Sequence, residues 1–115
     1  MNAYKVTNLY DGGFWSNVYC LGEKGGPCVV IDMGDNRSDR IRKYISKHHS
    51  QCLGILLTHG HFDHIFGLSQ RTVNDQRAPV FLHGQDIPCL SSPKRNASEE
   101  LTGEPFVWEG DIQEI

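Results

Sequence analysis

Apolar and polar positions alternate along Tyr4-Lys5-Val6-Thr7-Asn8-Leu9, the period of a strand with one face against a core. Asp11-Gly12-Gly13 reads as a turn, and residues 14–21 as the returning strand. A second turn, Gly22-Glu23-Lys24-Gly25-Gly26-Pro27, leads into the apolar run Cys28-Val29-Val30-Ile31. That run is short and unbroken, as expected of a strand buried on both faces. The opening third is therefore a predicted β-meander. Beyond Asp32-Met33-Gly34-Asp35 the period changes. Asn36 or Ser38 can cap a helix in which Ile41, Tyr44, Ile45 and His48 fall at i, i+3, i+4 and i+7. Residues 52–58 form another buried strand, and a second helix is predicted from near Asp63, with Ile65, Leu68 and Thr72 on one face. Pro79-Val80-Phe81-Leu82 is a further strand, followed by a short helix over residues 86–90. Residues 91–104 are polar and turn-rich and are expected to form a mobile surface loop. Phe106-Val107-Trp108 resumes apolar character, Glu109-Gly110-Asp111 turns, and Ile112 and Ile115 mark the start of a strand. The order βββ-α-β-α-β-α predicts an α/β (α+β) layer, a mixed sheet with helices on one face.

Length adds that the 115 residues have room for a single domain, 1–115, with one modest core. With 38% hydrophobic and 22% charged residues, the composition is that of a globular protein. No apolar run approaches the length of a membrane span, so no membrane is expected among the partners. The N-terminus carries no secretory pattern, and a cytoplasmic location is the expectation. A net charge of −3 argues against nucleic acid as a partner, because such proteins carry a basic field. Basic residues between Arg37 and Lys47 are interleaved with Asp39 and read as a solvated helix face. Cys20, Cys28, Cys52 and Cys89 show no CxxC spacing. Three lie in predicted strands, where a thiol behaves as a small apolar group, so neither a zinc site nor a disulfide framework is expected of them. Cys89 is the one expected to be exposed, and with no neighbouring base it reads as inert.

The chemistry concentrates in His59-Gly60-His61-Phe62-Asp63-His64, directly after the apolar run Leu53-Gly54-Ile55-Leu56-Leu57-Thr58. Three imidazoles and a carboxylate at the end of a buried strand are ligands of the kind zinc or iron prefers. In extended chain His59 and His61 project to the same side and can share one ion. If a helix begins at this point, Asp63 and His64 can face a second position close by, and Gly60 lets the backbone bend between ligands. The arrangement suits two metals better than one. His83, at the end of the Val80-Phe81-Leu82 strand, reads as a locally satisfied histidine rather than a ligand. His48 and His49 suit a helix C-terminus, whose dipole favours positive charge. Trp15 and Trp108 read as packing residues, and Glu99 and Glu100 as solvated.

The segment Thr58-His59-Gly60-His61-Phe62-Asp63-His64 resembles the HxHxDH signature of the metallo-β-lactamase superfamily, closest to its glyoxalase II-like hydrolases. Val29-Val30-Ile31-Asp32-Met33-Gly34 resembles the strand and Asp-containing turn that precede it there, and the likeness runs from Val18-Tyr19-Cys20-Leu21 to Trp108. The resemblance implies an αββα sandwich, of which this chain is the N-terminal half. It assigns His59 and His61 to a first metal, and Asp63 and His64 to a second. Asp32 becomes the residue that steadies the ligand loop. Two zinc ions are implied, with iron or manganese served by the same ligand types. Water activated by the metals would attack a small-molecule ester or thioester, with Asp63 orienting it or taking its proton. The family's remaining ligands, two histidines and an aspartate, belong to a second half that this chain lacks, and two protein ligands per metal are fewer than zinc sites use. The truncated sheet is expected to leave an apolar face that draws a second copy or a complementing chain. Two other readings follow from the same facts. One is a non-catalytic domain acting in self-association or partner binding. The other is an iron-dependent persulfide dioxygenase of the same fold.

Overall fold

A computed structural model describes residues 4–9, 17–34, 38–65, 67–68, 72–73 and 76–115. Among these residues the centre is a six-stranded sheet. Strands β1 (Tyr4–Asn8), β2 (Tyr19–Glu23) and β3 (Cys28–Ile31) form the antiparallel meander expected from the turn residues between them. Helix α1 (Ser38–His48) then carries the chain across to β4 (Cys52–Leu56), which runs parallel to β3. The same sense continues through β7 (Val80–Leu82) to the edge strand β8 (Gln113–Glu114), which lies between Ile112 and Ile115. The result is the mixed α/β layer that the order of elements predicts.

Helix α1 forms because its apolar residues recur with helical period, and Ile41 and Ile45 are wholly removed from solvent. Lys47 and His48 occupy its last turn, where their charge complements the helix dipole. The sheet face beneath carries Cys20, Cys28, Val30, Cys52, Ile55, Val80 and Leu82, all buried. Register slips by one residue between β3 and β4: Cys28 pairs with Cys52, but Val30 pairs with Ile55. This bulge keeps both Cys52 and Ile55 on the core face although they are three positions apart.

The reverse face departs from expectation. Strand β3 alternates between buried Cys28 and Val30 and half-buried Val29 and Ile31, instead of being buried on both sides. Nearby, Val6 is 61% and Leu53 50% exposed, because no described residue forms a layer over that side. Thr72, expected on the face of the second helix, lies elsewhere. Among the described residues helix α2 spans Phe62–Ile65, and Thr72 begins the hairpin of β5 (Thr72–Val73) and β6 (Gln76–Arg77). The backbone of Met33 diverts the chain: Met33 N–H donates to the His64 carbonyl at 2.9 Å, and Gly67 N–H donates to the Met33 carbonyl at 2.6 Å. Those bonds tie α2 to the turn after β3 instead of extending the helix.

Residues 91–104 are not an open loop. After a 3₁₀ helix over Gly84–Ser91 come α3 (Pro93–Asn96) and α4 (Ser98–Thr102). Their organiser is the buried side chain of Asn96, whose amide donates to the carbonyls of Cys89 (3.0 Å) and Phe106 (2.9 Å). Its oxygen accepts from Ser98 N–H at 2.9 Å, and Ser98 Oγ accepts from Phe106 N–H at the same distance. Polar residues that suggest solvent in the sequence are here satisfied internally. Trp108 is buried beside this unit, with its N–H donating to the Leu90 carbonyl. The turn at residues 11–13, Trp15, the Asn36 cap and the first residues of the second predicted strand lie outside the described residues. Among the described residues, no helix is long and apolar enough to cross a membrane.

Candidate metal centre

Strands β3 and β4 run side by side and both release their chains at the same end of the sheet, where the ends of parallel strands gather ligand groups. Asp32 leaves β3 and Thr58 follows β4, so the fold itself brings these two residues together. Asp32 is buried and adopts φ 64°, an uncommon conformation for a residue other than glycine. Its N–H donates to the Leu56 carbonyl at 2.8 Å, which fixes that turn against β4.

The Asp32 carboxylate then organises everything above it. Oδ1 accepts from Thr58 N–H at 2.8 Å, and Thr58 Oγ1 lies 3.0 and 2.9 Å from the two carboxylate oxygens. His64 Nδ1 lies 2.8 Å from Oδ2. A carboxylate only accepts, so His64 Nδ1 carries a proton and donates it, which leaves Nε2 with its lone pair outward. The same logic reaches His59. With its proton directed at the carboxylate, Thr58 Oγ1 accepts from His59 Nδ1, 3.2 Å away, and again Nε2 is left as the ligand atom. Two imidazoles are thus oriented by one buried carboxylate, one directly and one through a hydroxyl.

The ligand groups converge. His59, Asp63 and His64 each offer an atom within 4.8 Å of the others. The His59 and His64 ring centroids are 3.9 Å apart, and His61 lies with its ring edge-on to His59 at 4.8 Å. Asp63 Oδ2 is 3.7 Å from His64 Nε2. Burial opposes protonation of His64, but the hydrogen bond and charge of Asp32 and the charge of Asp63 outweigh it, holding this imidazole above its ordinary value. His59 is pushed the other way, by burial first and then by the neighbouring His64 and His61. Imidazoles and a carboxylate gathered this closely suit a divalent cation, which replaces their mutual repulsion with attraction. The donor set therefore fits zinc, iron or manganese.

Two glycines make the convergence possible. A Cβ on Gly34 would overlap the Asp63 carbonyl oxygen, so α2 can sit against the Asp32 turn only because that side chain is absent. Gly60 is buried beneath the 3₁₀ helix, where a Cβ would fall 2.5 Å from Cys89 Cβ. Its φ is not positive, so its role is close approach rather than the tight bend expected from the sequence. His83 stays apart: exposed, it caps the 3₁₀ helix, with Nδ1 accepting from Gln85 N–H at 3.1 Å. Cys89 is half-buried, and burial and Asp86 raise its thiol, in keeping with an inert cysteine. The sequence gives no sign of the relay through Thr58 or of the need for Gly34. Only the small size of Gly34, two residues after an aspartate that ends a strand, hints at a close contact.

Comparison with known proteins agrees with this geometry. The chain is 36% identical over 93 residues to the "Probable metallo-hydrolase YqgX" of Bacillus subtilis, a match covering 80% of this chain and 42% of that protein. It is 31% identical over 84 residues to the hydroxyacylglutathione hydrolase of Baumannia cicadellinicola, covering 73% of this chain and 29% of that one. In three dimensions it superimposes on the crystal structure of BLEG-1 B3 metallo-beta-lactamase with a TM-score of 0.72 at 32% identity, covering 91% of this chain and 48% of the other. The chain thus spans less than half the length of each of these relatives. The sequence model of the metallo-beta-lactamase superfamily matches residues 11–70, the stretch that contains both the Asp32 turn and the histidine loop, and the chain belongs to that superfamily.

Proposed function

We propose that this chain is the metal-holding part of a metal-dependent hydrolase whose substrate is a small ester or thioester. The observation that carries the reading is the Asp32 carboxylate, which turns the Nε2 atoms of His59 and His64 outward beside Asp63. His59 and His61 are assigned to one metal position, and Asp63 and His64 to a second. Divalent cations bound there supply Lewis acidity toward the substrate carbonyl and lower the pKa of water. Zinc suits the His/Asp donors best, and iron or manganese takes the same ligand types. Asp63, on the first turn of α2, is the group that orients the attacking water and receives its proton. Asp32 holds its charge against the imidazoles and keeps them in the ligating tautomer.

The thioester class draws support from the relative named as a hydroxyacylglutathione hydrolase. Completion of the site falls to a second layer over the open sheet face, where Leu21, Val29 and Ile31 are half-buried and Val6 and Leu53 exposed. A second copy of this chain or a complementing chain that supplies further ligands fits that face. A cytoplasmic location belongs to the same reading, since the cysteines are free thiols, the form that a reducing compartment maintains.

The test is hydrolysis of a thioester and of a nitrophenyl ester by the zinc-loaded protein, before and after His59→Ala/His61→Ala. The reading expects turnover that depends on added metal and falls at least ~100-fold in the double variant. Unchanged turnover in that variant removes the hydrolase, and metal-independent binding of a second chain would favour the non-catalytic alternative.

A further inference from the structure

A second group of ligand atoms lies at the opposite end of the parallel strands from the histidine loop. Cys20, Cys28 and Cys52 come from the adjacent strands β2, β3 and β4. Cys28 is the register partner of Cys52, and Cys20 faces Val30, two residues along β3 from Cys28, so the three thiols share the face that α1 covers. All three are buried and free. Cys52 Sγ donates to the Gly54 carbonyl at 3.4 Å. Sequence spacing hides this cluster because the sheet, not the chain order, makes its members neighbours.

His49, one residue beyond α1, completes it. Its Nδ1 lies 2.8 Å from the Glu23 carbonyl and 3.3 Å from that of Gly26. Carbonyls accept only, so Nδ1 is the protonated nitrogen and Nε2 keeps its lone pair, the orientation that metal-binding histidines adopt. The Sγ atoms of Cys20 and Cys28 and a ring nitrogen of His49 all lie within 4.8 Å of one another. Tetrahedral zinc sets such separations at about 3.8 Å, so contraction of about 1 Å at most closes the group around an ion.

A cleft of ≈ 490 Å³ lies beside the cluster, between β1, β2 and the last turn of α1, lined by Lys5, Gly22, Lys24, Tyr44 and His49. A Cβ on Gly22 would fall 2.7 Å from Cys28 Cβ, so the missing side chain lets β2 pack directly against Cys28, which is 2% exposed. The ammonium groups of Lys5 and Lys24 offset the negative charge that thiolates bring to a zinc site. Thiols acting only as small core residues do not require a histidine ring nitrogen gathered with them.

We propose that Cys20, Cys28 and His49 form a second zinc site separate from the histidine loop. Binding exchanges the thiol protons for the ion and releases them to water. It joins β2, β3 and the end of α1 at one point, a structural rather than a hydrolytic role, since both thiols are buried away from substrate.

The test is an anaerobic titration of the reduced protein with Co²⁺, followed by displacement with Zn²⁺. The proposal expects a strong thiolate-to-cobalt charge-transfer band that zinc removes. The band persists in His59→Ala/His64→Ala, in which the histidine loop is disabled, and in Cys89→Ala. It is lost in Cys28→Ala, and cobalt affinity falls about tenfold or more in His49→Gln. His49→Gln keeps the test decisive if the cysteine variant fails to fold, because His49 lies outside the sheet and only half-buried. Absence of the band in folded wild-type protein overturns the proposal. So does a band unchanged by His49→Gln, or an isolated protein lighter by two hydrogens and carrying a disulfide among these cysteines.

Discussion

Asp32 is the residue on which the histidine loop is built. It accepts from Thr58 N–H, Thr58 Oγ1 and His64 Nδ1 within one buried carboxylate. Asp32→Ala therefore frees both imidazoles, and zinc affinity at the histidine loop is expected to fall ~10–100-fold by competition with a chromophoric chelator. Thr58→Val removes the hydroxyl that supports His59 but leaves the Asp32–His64 contact, and should lower affinity by less. The titration of the metal-free protein follows from the same contacts. In an NMR titration His64 should lose its proton above about 6.5, the ordinary histidine value, and His59 below it. The stability contributed by the Asp32–His64 pair is fully present below the unfolded value and is lost as pH rises through the raised folded one. In Asp32→Asn, burial is opposed only by the charge of Asp63 and the His64 value should drop. The three histidines and Asp63 stand out in the sequence because ligand types are dense there. Thr58 does not, because its part depends on a carboxylate 26 positions away that only the β3–β4 pairing brings near.

Among the elements, α1 was the most legible, since Ile41 and Ile45 repeat with helical period and are both fully buried. Ile45→Ala should cost about 2–5 kcal/mol in urea unfolding, the range for a large side chain removed from a packed core. Elements without a period were not legible. The two-residue strands β5 and β6 are too short to show alternation. Helices α3 and α4 depend on Asn96 and Ser98, polar residues whose partners are backbone groups of Cys89 and Phe106. Asn96→Ala leaves those groups unsatisfied and should destabilise the protein by about 1–3 kcal/mol, checked by the same unfolding measurement. Helix α2 was misjudged because Met33, a residue of another segment, takes its backbone bonds.

For the whole molecule, the order of elements foretold the mixed sheet, because strand–helix–strand units of this length dictate parallel neighbours. Val6 and Leu53 are large apolar residues exposed on the sheet. An apolar face of this kind favours association, so sedimentation should show dimers or larger species for the 115-residue chain. Leu53→Lys should shift that distribution toward monomer without loss of helix content. A distribution unaffected by the lysine would place the contact elsewhere.

The account depends most on the histidine loop gripping a divalent cation through the Nε2 atoms that Asp32 exposes. The direct measurement is the imidazole NMR spectrum of His59 and His64 as Zn²⁺ is added. The expected result is that both shift together at saturation and cease to titrate with pH across the neutral range. Imidazoles that go on titrating unchanged in saturating zinc would contradict it.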